Sequence, residues 1–136
     1  MDALQIGIAI VEHNGRYLVG TRTADQELAG YAEFPGGKCE PDEEPSSCAA
    51  RECLEETGLA VEPIELLSQV QFDYPHATVE LHFWICRLIG ENDQPLNGFG
   101  WRMLDELQSL DFPPANASIP VKLQERQTRL NRLNAN

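Results

Sequence analysis

Basic side chains are scarce in this chain of 136 residues, which has 10 Lys and Arg against 22 Asp and Glu and a net charge of −12 at pH 7. Such a surface repels the phosphate backbone of nucleic acids and the headgroups of anionic membranes. We therefore expect neither a nucleic-acid polymer nor a membrane as a partner. A small polyanion could still bind if metal ions mediate the contact.

Long apolar segments are also missing. No run reaches the ~20 residues that a membrane-spanning helix needs, and the N-terminus shows no pattern of a secretory signal. The four cysteines, Cys39, Cys48, Cys53 and Cys86, form no Cys-x-x-Cys pair. This favours reduced, mostly buried thiols over disulfides or zinc ligands. These observations predict a cytoplasmic protein, and the length suits one domain, residues 1–136.

Two common catalytic signatures are absent as well. The sequence has no Gly-x-Ser-x-Gly elbow, and it has no Gly-x4-Gly-Lys-Ser/Thr phosphate loop. The histidines His13, His76 and His82 are not grouped with cysteine or acid at metal-ligand spacing. We interpret them as structural or surface residues.

Hydrophobic periodicity predicts a mixture of strands and helices. Extended segments are expected at 4–11, 17–21, 31–35, 66–72, 78–88 and 99–103, and helical segments at 45–57, 104–110 and 120–133. The pair Asn14-Gly15 predicts a hairpin turn. Lys122, Arg126 and Arg129 form a basic stripe on the last helix, which we interpret as a solvated face.

The most acidic stretch is residues 37–59, GKCEPDEEPSSCAARECLEETGL, with seven acids against Lys38 and Arg51. Its second half predicts a helix with Pro45 in the first turn and Gly58 as the stop. A mostly apolar stripe at i, i+3, i+4 and i+7 is expected to face the core. Its members are Ala50, Cys53, Leu54 and Thr57.

Three carboxylates of this helix, Glu52, Glu55 and Glu56, crowd another face, where like charges repel each other. A solvated acidic face is the alternative interpretation. Three features favour a cation site instead: permissive backbone at 36–37, which a ligand could approach closely, a further acid, Glu43, near the helix entrance, and more negative charge over 37–59 than a helix needs for solubility. Mg²⁺ or Mn²⁺ suits such an all-oxygen cluster.

The stretch resembles the Nudix box, Gly-x5-Glu-x7-Arg-Glu-U-x-Glu-Glu-x-Gly-U, in which U is aliphatic. The matching positions are Gly37, Glu43, Arg51, Glu52, Glu55, Glu56, Gly58 and Leu59. Cys53 departs from the pattern at a U position, where we expect altered packing and unaltered chemistry. The chain is thereby identified as a member of the Nudix family, which implies an α/β fold, an α/β/α sandwich with a mixed central sheet.

The resemblance also implies roles for the box residues. Glu52, Glu55 and Glu56 would bind Mg²⁺, with Mn²⁺ as an alternative, together with the backbone carbonyl of Gly36. Glu52 is the first choice for the general base, and Glu55 stays open as the second. Arg51 would orient the carboxylates.

The similarity to the MutT-like subgroup of the family covers nearly the whole chain, including residues 4–6, 33–38 and 112–116. In that subgroup the arginine at the Arg22 position contacts the substrate's phosphates, and the lysine at the Lys38 position often faces phosphate. The alternatives are a surface charge for Arg22 and neutralisation of the neighbouring acids for Lys38.

Two further residues are assigned to substrate by the same resemblance. Phe34 precedes the box, and Asn116 stands where the subgroup has an asparagine that hydrogen-bonds the 8-oxoguanine base. An amide suits a base edge because it offers both a donor and an acceptor. The alternative is that Asn116 caps the last helix.

The chain departs from the subgroup at two positions. Gly100 stands just before Trp101, where relatives often carry a Glu that reaches the metals, and Asp93 is a candidate substitute. Ala77 stands shortly after Pro75, where MutT has an arginine near the base pocket. Looser purine selectivity is the expected consequence.

The implied activity is hydrolysis of a nucleoside triphosphate to the monophosphate and pyrophosphate. The preferred substrate is 8-oxo-dGTP, which would make the protein a sanitiser of the nucleotide pool, acting as a monomer or homodimer. One alternative is a Nudix hydrolase of CTP, 5-substituted dCTP or ADP-ribose. The other is a nucleotide-binding domain that has lost catalysis.

Overall fold

The computed structural model describes residues 3–135. The strands are β1 (Leu4–His13), β2 (Arg16–Thr21), β3 (Ala32–Glu33), β4 (Gly36–Lys38), β5 (Val61–Tyr74), β6 (Ala77–Leu88) and β7 (Gly100–Met103). The helices are α1 (Pro45–Thr57), α2 (Leu104–Leu107) and α3 (Ile119–Asn134), with a 3₁₀ turn at Pro114–Asn116. Over this part of the chain, no helix combines the length and apolarity that a membrane crossing requires.

The strands form one mixed sheet in the order β3-β2-β1-β6-β5, with β4 added beside β1 and β7 beside β2. β1 and β6 are parallel, whereas the β1–β2 and β5–β6 pairs are antiparallel. Ile8 in β1 lies opposite Phe83 on one side and Gly36 on the other. This register places the chain before the acidic helix at the centre of the sheet.

Helices cover both faces of the sheet. Phe83 and Ile85 of β6 pack into a core that includes Leu123 of α3, whereas Cys86 packs on the opposite face with Cys53 of α1. Successive strand residues point to opposite faces, so the alternation in β6 produces two separate cores. The α/β/α sandwich with a mixed central sheet is confirmed.

The acidic helix begins and ends where the sequence predicts. Pro45 occupies its first turn. Gly58 ends it in the left-handed region, with φ of 78° and its N–H donating to the carbonyl of Leu54 at 2.9 Å. A side chain there would be strained, which explains the stop.

The predicted apolar stripe of α1 is only partly correct. Leu54 is 51% exposed, whereas Cys48 and Ala49 are buried together with Cys53 and Thr57. The cause is close packing on β1: a Cβ atom on Gly7 would lie 2.6 Å from the carbonyl oxygen of the first helical residue and 2.8 Å from the Ala49 nitrogen. Only small side chains fit at that contact, so the helix turns Leu54 outward.

β5 is twice as long as the predicted segment 66–72. Its pairing with β6 shifts register between Pro63 and Glu65 and again between Leu66 and Ser68. Each shift interrupts the two-residue alternation from which a strand is predicted. The first half of β5 therefore carries no clear strand pattern.

The basic stripe of α3 is not simply a solvated face, because the Arg126 side chain is only 8% exposed. Its Nε donates to Glu65 at 3.3 Å, and its Nη1 lies 3.7 Å from Glu12. Arg129, one turn along, remains exposed and approaches Glu65 at 3.8 Å. One residue of the stripe therefore belongs to a buried polar contact between α3 and the sheet.

Candidate active site

The first carboxylate of the cluster, Glu52, lies directly against the backbone before α1. A Cβ atom on Gly37 would fall 2.6 Å from the Cδ atom of Glu52 and 2.6 Å from Oε2. Any residue but glycine would displace the carboxylate, so the glycine serves close approach. The Glu52 side chain is 17% exposed and still open to a small ligand.

Glu56 is partly buried beside Glu52, and its carboxylate lies near the backbone N–H of Gly36. Burial raises the pKa of Glu56 to about 7, and the charges of Glu52 and Glu33 add to the effect, whereas the Gly36 N–H opposes it. The pKa is raised because burial removes water from the ionised carboxylate, and the like charges of its neighbours oppose ionisation further. Negative charge at this point exceeds what the surrounding protein groups neutralise.

Arg51 holds the remaining carboxylates in place. It donates from Nε and Nη2 to Glu43 at 2.8 and 3.0 Å, and from Nη1 to Glu52 at 3.0 Å and Glu55 at 3.1 Å. Its Nη2 also donates to the carbonyl of Lys38 at 3.1 Å. The bidentate hydrogen bonds from Arg51 hold the pKa of Glu43 down at about 2. Within residues 3–135, Arg51 makes no hydrogen bond or ion pair with Glu56.

These groups fit a hard divalent cation. Carboxylate oxygens and a backbone carbonyl are the ligands that Mg²⁺ and Mn²⁺ accept. The unneutralised charge on Glu56, with Glu52 beside it and the Gly36 backbone in contact, is what such an ion would offset. Both oxygens of Glu55 accept hydrogen bonds from Arg51, and its side chain is 57% exposed. It could therefore bind a metal ion only at the edge of the cluster.

A groove of about 550 Å³ brings together two residues that lie 94 positions apart, Arg22 and Asn116. The rest of its lining is largely apolar and consists of Glu27, Leu28, Phe72, Tyr74, Leu81, Pro113, Pro114 and Ala115. Arg22 donates from Nε to the Glu27 carbonyl at 2.6 Å and from Nη1 to Glu33 at 3.4 Å.

Glu33 joins the groove to the carboxylate cluster. It pairs with Arg22 on one side, and its charge contributes to the raised pKa of Glu56 on the other. Burial raises the pKa of Glu33 itself, and Arg22 opposes that shift. No sequence signal points to Glu33, because it lies outside the box and its two partners meet it only in the folded chain.

Asn116 does not cap the last helix, so the capping alternative is wrong. It lies in the 3₁₀ turn, where its backbone N–H donates to the Pro113 carbonyl at 2.8 Å, and α3 begins only at Ile119 after Ser118. Within the part of the chain that the structure describes, the side-chain amide of Asn116 makes no hydrogen bond. Its donor and acceptor are therefore open to the groove.

Phe34 and Lys38, the other two predicted substrate residues, are not part of the groove lining. Phe34 is 6% exposed and stacks on Phe112, with ring centroids 5.0 Å apart and an interplanar angle of 14°. It does not line the groove but packs behind the segment that carries Asn116. Lys38 is exposed at the end of β4, and its ammonium group makes no ion pair with any residue between 3 and 135.

The structure does not bring Asp93 to the cluster as a substitute for the missing acid at Gly100. Asp93 lies 3.6 Å from His13, and its carbonyl accepts a hydrogen bond from Trp101. His13 is five residues from Ile8, which pairs with Gly36, and that is roughly 17 Å along a strand. The other departure, Ala77, pairs with Tyr74 at the end of the β5–β6 hairpin.

The fold and the box helix define a Nudix domain. A family model described as NUDIX domain matches residues 7–120, and the chain belongs to the Nudix family. Hydrolases of this family generally use divalent metal ions.

Two curated relatives are similar to this chain over most of its length. The chain is 33% identical over 130 residues to the 8-oxo-dGTP diphosphatase of Escherichia coli (strain K12), covering 91% of this chain and 98% of the relative. It is 34% identical over 121 residues to the CTP pyrophosphohydrolase of the same organism, covering 89% and 90%.

Solved structures agree with the fold. The E. coli ORF135 protein matches with a TM-score of 0.76 at 26% identity over 93% of this chain and 92% of that chain. The MutT protein of methicillin-resistant Staphylococcus aureus 252 matches with a TM-score of 0.73 at 24% identity, over 92% and 98%.

Proposed function

We propose that this protein is a Mg²⁺-dependent pyrophosphohydrolase that converts 8-oxo-dGTP to 8-oxo-dGMP and pyrophosphate and so removes a mutagenic nucleotide from the pool. One observation carries the proposal: the carboxylate cluster and a groove with an open amide at Asn116 lie on either side of the Arg22–Glu33 pair. A nucleotide with phosphates at the cluster and its base in the groove would use both regions. The similarity to the 8-oxo-dGTP diphosphatase supports this substrate.

Glu52, Glu56 and the carbonyl of Gly36 would hold the metal, with Glu55 contributing from the rim. The chemistry that Mg²⁺ would supply there is neutralisation of phosphate charge and a lowered pKa of the attacking water. Arg51 keeps Glu52 and Glu55 at a fixed separation by hydrogen-bonding to both. This positioning holds the carboxylates in place before substrate arrives.

Glu52 is the proposed general base, and Glu55 is the second candidate. Glu52 is held between Arg51 and the Gly37 backbone, whereas Glu55 shares both its oxygens with Arg51 and would have to release them to accept a proton. A base needs hydrogen-bond reach to the water it deprotonates. Arg51 hydrogen-bonds only one oxygen of Glu52, so the other could accept a proton without breaking that contact.

Arg22 and Lys38 would offset the negative charge of the substrate's phosphates, and Asn116 would read the base edge. Phe34 would act indirectly, because its ring supports Phe112 at the start of the segment that carries Asn116. We further propose that the protein acts on free nucleotides in the cytoplasm, as one domain and as a monomer or homodimer. The net charge of −12 supports a small-molecule substrate over a nucleic-acid polymer.

The test is Asn116→Ala, measured as kcat/KM on two substrates. Leaving a buried polar group of the base unpaired costs roughly 1–3 kcal/mol, so we expect about a tenfold to hundredfold loss on 8-oxo-dGTP. The loss on dTTP should be much smaller, because thymine offers no matching edge. Asn131→Ala, on the exposed side of α3, is the matched control and should change neither. Equal losses on both substrates would contradict base reading by Asn116.

A second candidate is CTP hydrolysis, favoured by the 34% identity to a CTP pyrophosphohydrolase and by Ala77, which leaves the groove without the arginine of the MutT-like pattern. Initial rates with Mg²⁺ on 8-oxo-dGTP, dGTP, CTP, 5-methyl-dCTP and ADP-ribose separate the candidates. The proposal requires the highest kcat/KM on 8-oxo-dGTP. Turnover of none of these, with nucleotide binding retained, would instead identify a domain that binds without catalysis.

A further inference from the structure

A second group of metal-ligating side chains lies beside the carboxylate cluster. Cys39 follows β4, Glu43 lies in the loop before α1, and Cys48 is in the first turns of α1. The two Sγ atoms and a carboxylate oxygen of Glu43 all lie within 4.8 Å of one another. The nine-residue spacing of the cysteines matches no common metal motif, so the sequence predicted unconnected thiols.

The fold itself holds these groups together. The N–H of Cys39 donates to the Gln5 carbonyl at 2.9 Å, which fixes the chain where it leaves β4. The thiol of the fully buried Cys48 donates to the Gly37 carbonyl at 3.4 Å. A Cβ atom on Gly7 would lie only 2.8 Å from the Cys48 Sγ, so the absence of a side chain on β1 makes room for the sulfur. Both thiols are thus set by the packing of α1 and β4 on β1.

We propose that Cys39, Cys48 and Glu43 form a zinc site that is separate from the Mg²⁺ site of the hydrolase. Two thiolates and one carboxylate are a ligand set that Zn²⁺ prefers and Mg²⁺ avoids. Tetrahedral zinc, with Zn–S of about 2.3 Å and Zn–O of about 2.1 Å, requires ligand atoms roughly 3.6–3.8 Å apart. The cluster therefore needs to contract by about 1 Å at most. Cys39 is partly exposed, which provides an entry path and a fourth position for water.

Zinc at this site would act on the carboxylate cluster through Glu43. Both oxygens of Glu43 accept hydrogen bonds from Arg51, and the same guanidinium holds Glu52 and Glu55. A zinc ion that takes one oxygen of Glu43 weakens that pair and alters the support of the other two carboxylates. The site would therefore couple zinc concentration to the arrangement of the box.

The test uses Co²⁺ alone as the probe, added to the full, reduced chain without oxygen and with excess Mg²⁺ to occupy the carboxylate cluster. Cobalt bound by thiolate shows sulfur-to-metal charge-transfer absorption, whereas cobalt bound only by oxygen does not. We expect this absorption to saturate at one equivalent and to disappear when Zn²⁺ displaces the cobalt. Lack of the absorption under cobalt excess would overturn the proposal.

Matched variants assign the ligands. Cys39→Ser and Cys48→Ser should each weaken cobalt binding by more than about 100-fold, since even residues outside the ligand shell change metal affinity 10–100-fold. Cys86→Ser is the control for Cys48→Ser, because Cys86 is also fully buried and also donates to a carbonyl at 3.4 Å. It should leave binding unchanged. Equal binding by wild type and Cys39→Ser, the variant at the partly exposed position, would overturn the assignment even if Cys48→Ser fails to fold.

Glu43→Gln tests the oxygen ligand and should weaken cobalt binding about tenfold or more while keeping the thiolate absorption. Unchanged affinity would contradict the three-ligand site. These measurements need no nucleotide, so they do not depend on the proposed hydrolase activity. In turnover assays with saturating Mg²⁺, zinc should inhibit the wild type and not Cys39→Ser, and equal inhibition would contradict coupling through Glu43.

Discussion

Two arginines hold carboxylates on opposite faces of the sheet, and they do so in different ways. Arg51 on α1 is 26% exposed and contacts three carboxylates, those of Glu43, Glu52 and Glu55. Arg126 on α3 is 8% exposed and lies against two, those of Glu12 and Glu65.

The difference lies in how well the charges match. Around Arg126, the Tyr17 hydroxyl donates to Glu12 at 2.6 Å and Arg129 approaches Glu65, so each carboxylate has a further partner. On the other face, Arg51 pairs with three carboxylates and not with the nearby Glu56. Burial raises the pKa of Glu56 to about 7. The balanced charges around Arg126 join α3 to the sheet, whereas the surplus of negative charge around Arg51 would suit a bound cation.

The largest effect should come from removing the cation on the Arg51 side. Chelation with EDTA is expected to abolish pyrophosphate release from 8-oxo-dGTP, and added Mg²⁺ should restore it, because the carboxylates alone repel the phosphates. The circular dichroism spectrum should not change, since the Arg126 side needs no ion. Full turnover in excess EDTA would contradict the proposed metal dependence.

Glu56→Gln should lower kcat/KM by about 10²–10⁴-fold, because metal stabilisation of the reaction is worth several kcal/mol. The variant keeps an acceptor for the Gly36 N–H and loses the surplus charge, so its fold should be intact. Melting curves and activity on the same sample check this. Activity lost only in proportion to lost fold would remove Glu56 from the metal site.

The same surplus charge should make stability depend on pH. The folded pKa of Glu56 lies above its ordinary value of 4.5, so the folded state binds the proton more tightly and the free energy of unfolding falls as pH rises from about 4.5 to about 7. The lowered pKa of buried His82 acts in the opposite direction in this window. The informative quantity is therefore the difference between wild type and Glu56→Gln, both without metal.

We expect that difference to change by up to about 3 kcal/mol across the window, measured by urea unfolding at several pH values. Glu43 should not disturb the comparison, because its pKa of about 2 places its effect below pH 4.5. Parallel pH profiles for the two proteins would show that Glu56 carries no surplus charge.

The smallest effect is expected on the Arg126 side. Arg126→Met should destabilise the protein by about 2 kcal/mol, less than the 3–5 kcal/mol of a fully buried pair, because Glu12 and Glu65 are 30% and 41% exposed. Turnover by the folded fraction should not change. Arg87→Met, which breaks an exposed pair with Glu62, is the control and should cost at most about 1 kcal/mol. Equal losses for both variants would show that burial of Arg126 does not matter.

Local patterns explain what the sequence predicted well. The alternation of β6 and the box helix with its stop at Gly58 depend on neighbours a few residues apart, and both are confirmed. The rotation of α1 was mispredicted because it depends on Gly7, a residue of another strand that admits only small side chains. Leu54 fits the helical period and nevertheless faces solvent.

The candidate site likewise combines features set by local sequence with features set by distant residues. The box fixes where Glu52 and Glu56 stand along the helix, but the partners that shape them, Gly37 and Glu33, meet them through the β4–β1 and β2–β3 pairings. No spacing rule connects such positions. The spatial proximity of Cys39 and Cys48 could not be predicted for the same reason.

The irregular first half of β5 bears on how the protein behaves in concentrated solution. β5 lies at the edge of the sheet, where an unpaired strand can recruit the same strand of another molecule. Pro63 lacks an N–H, and the two register shifts near it bend and twist the strand away from a flat template. The exposed Ile64 and Leu66 lie within that distorted segment. The irregularity thus acts as protection against edge-to-edge aggregation at the place where apolar side chains would otherwise promote it.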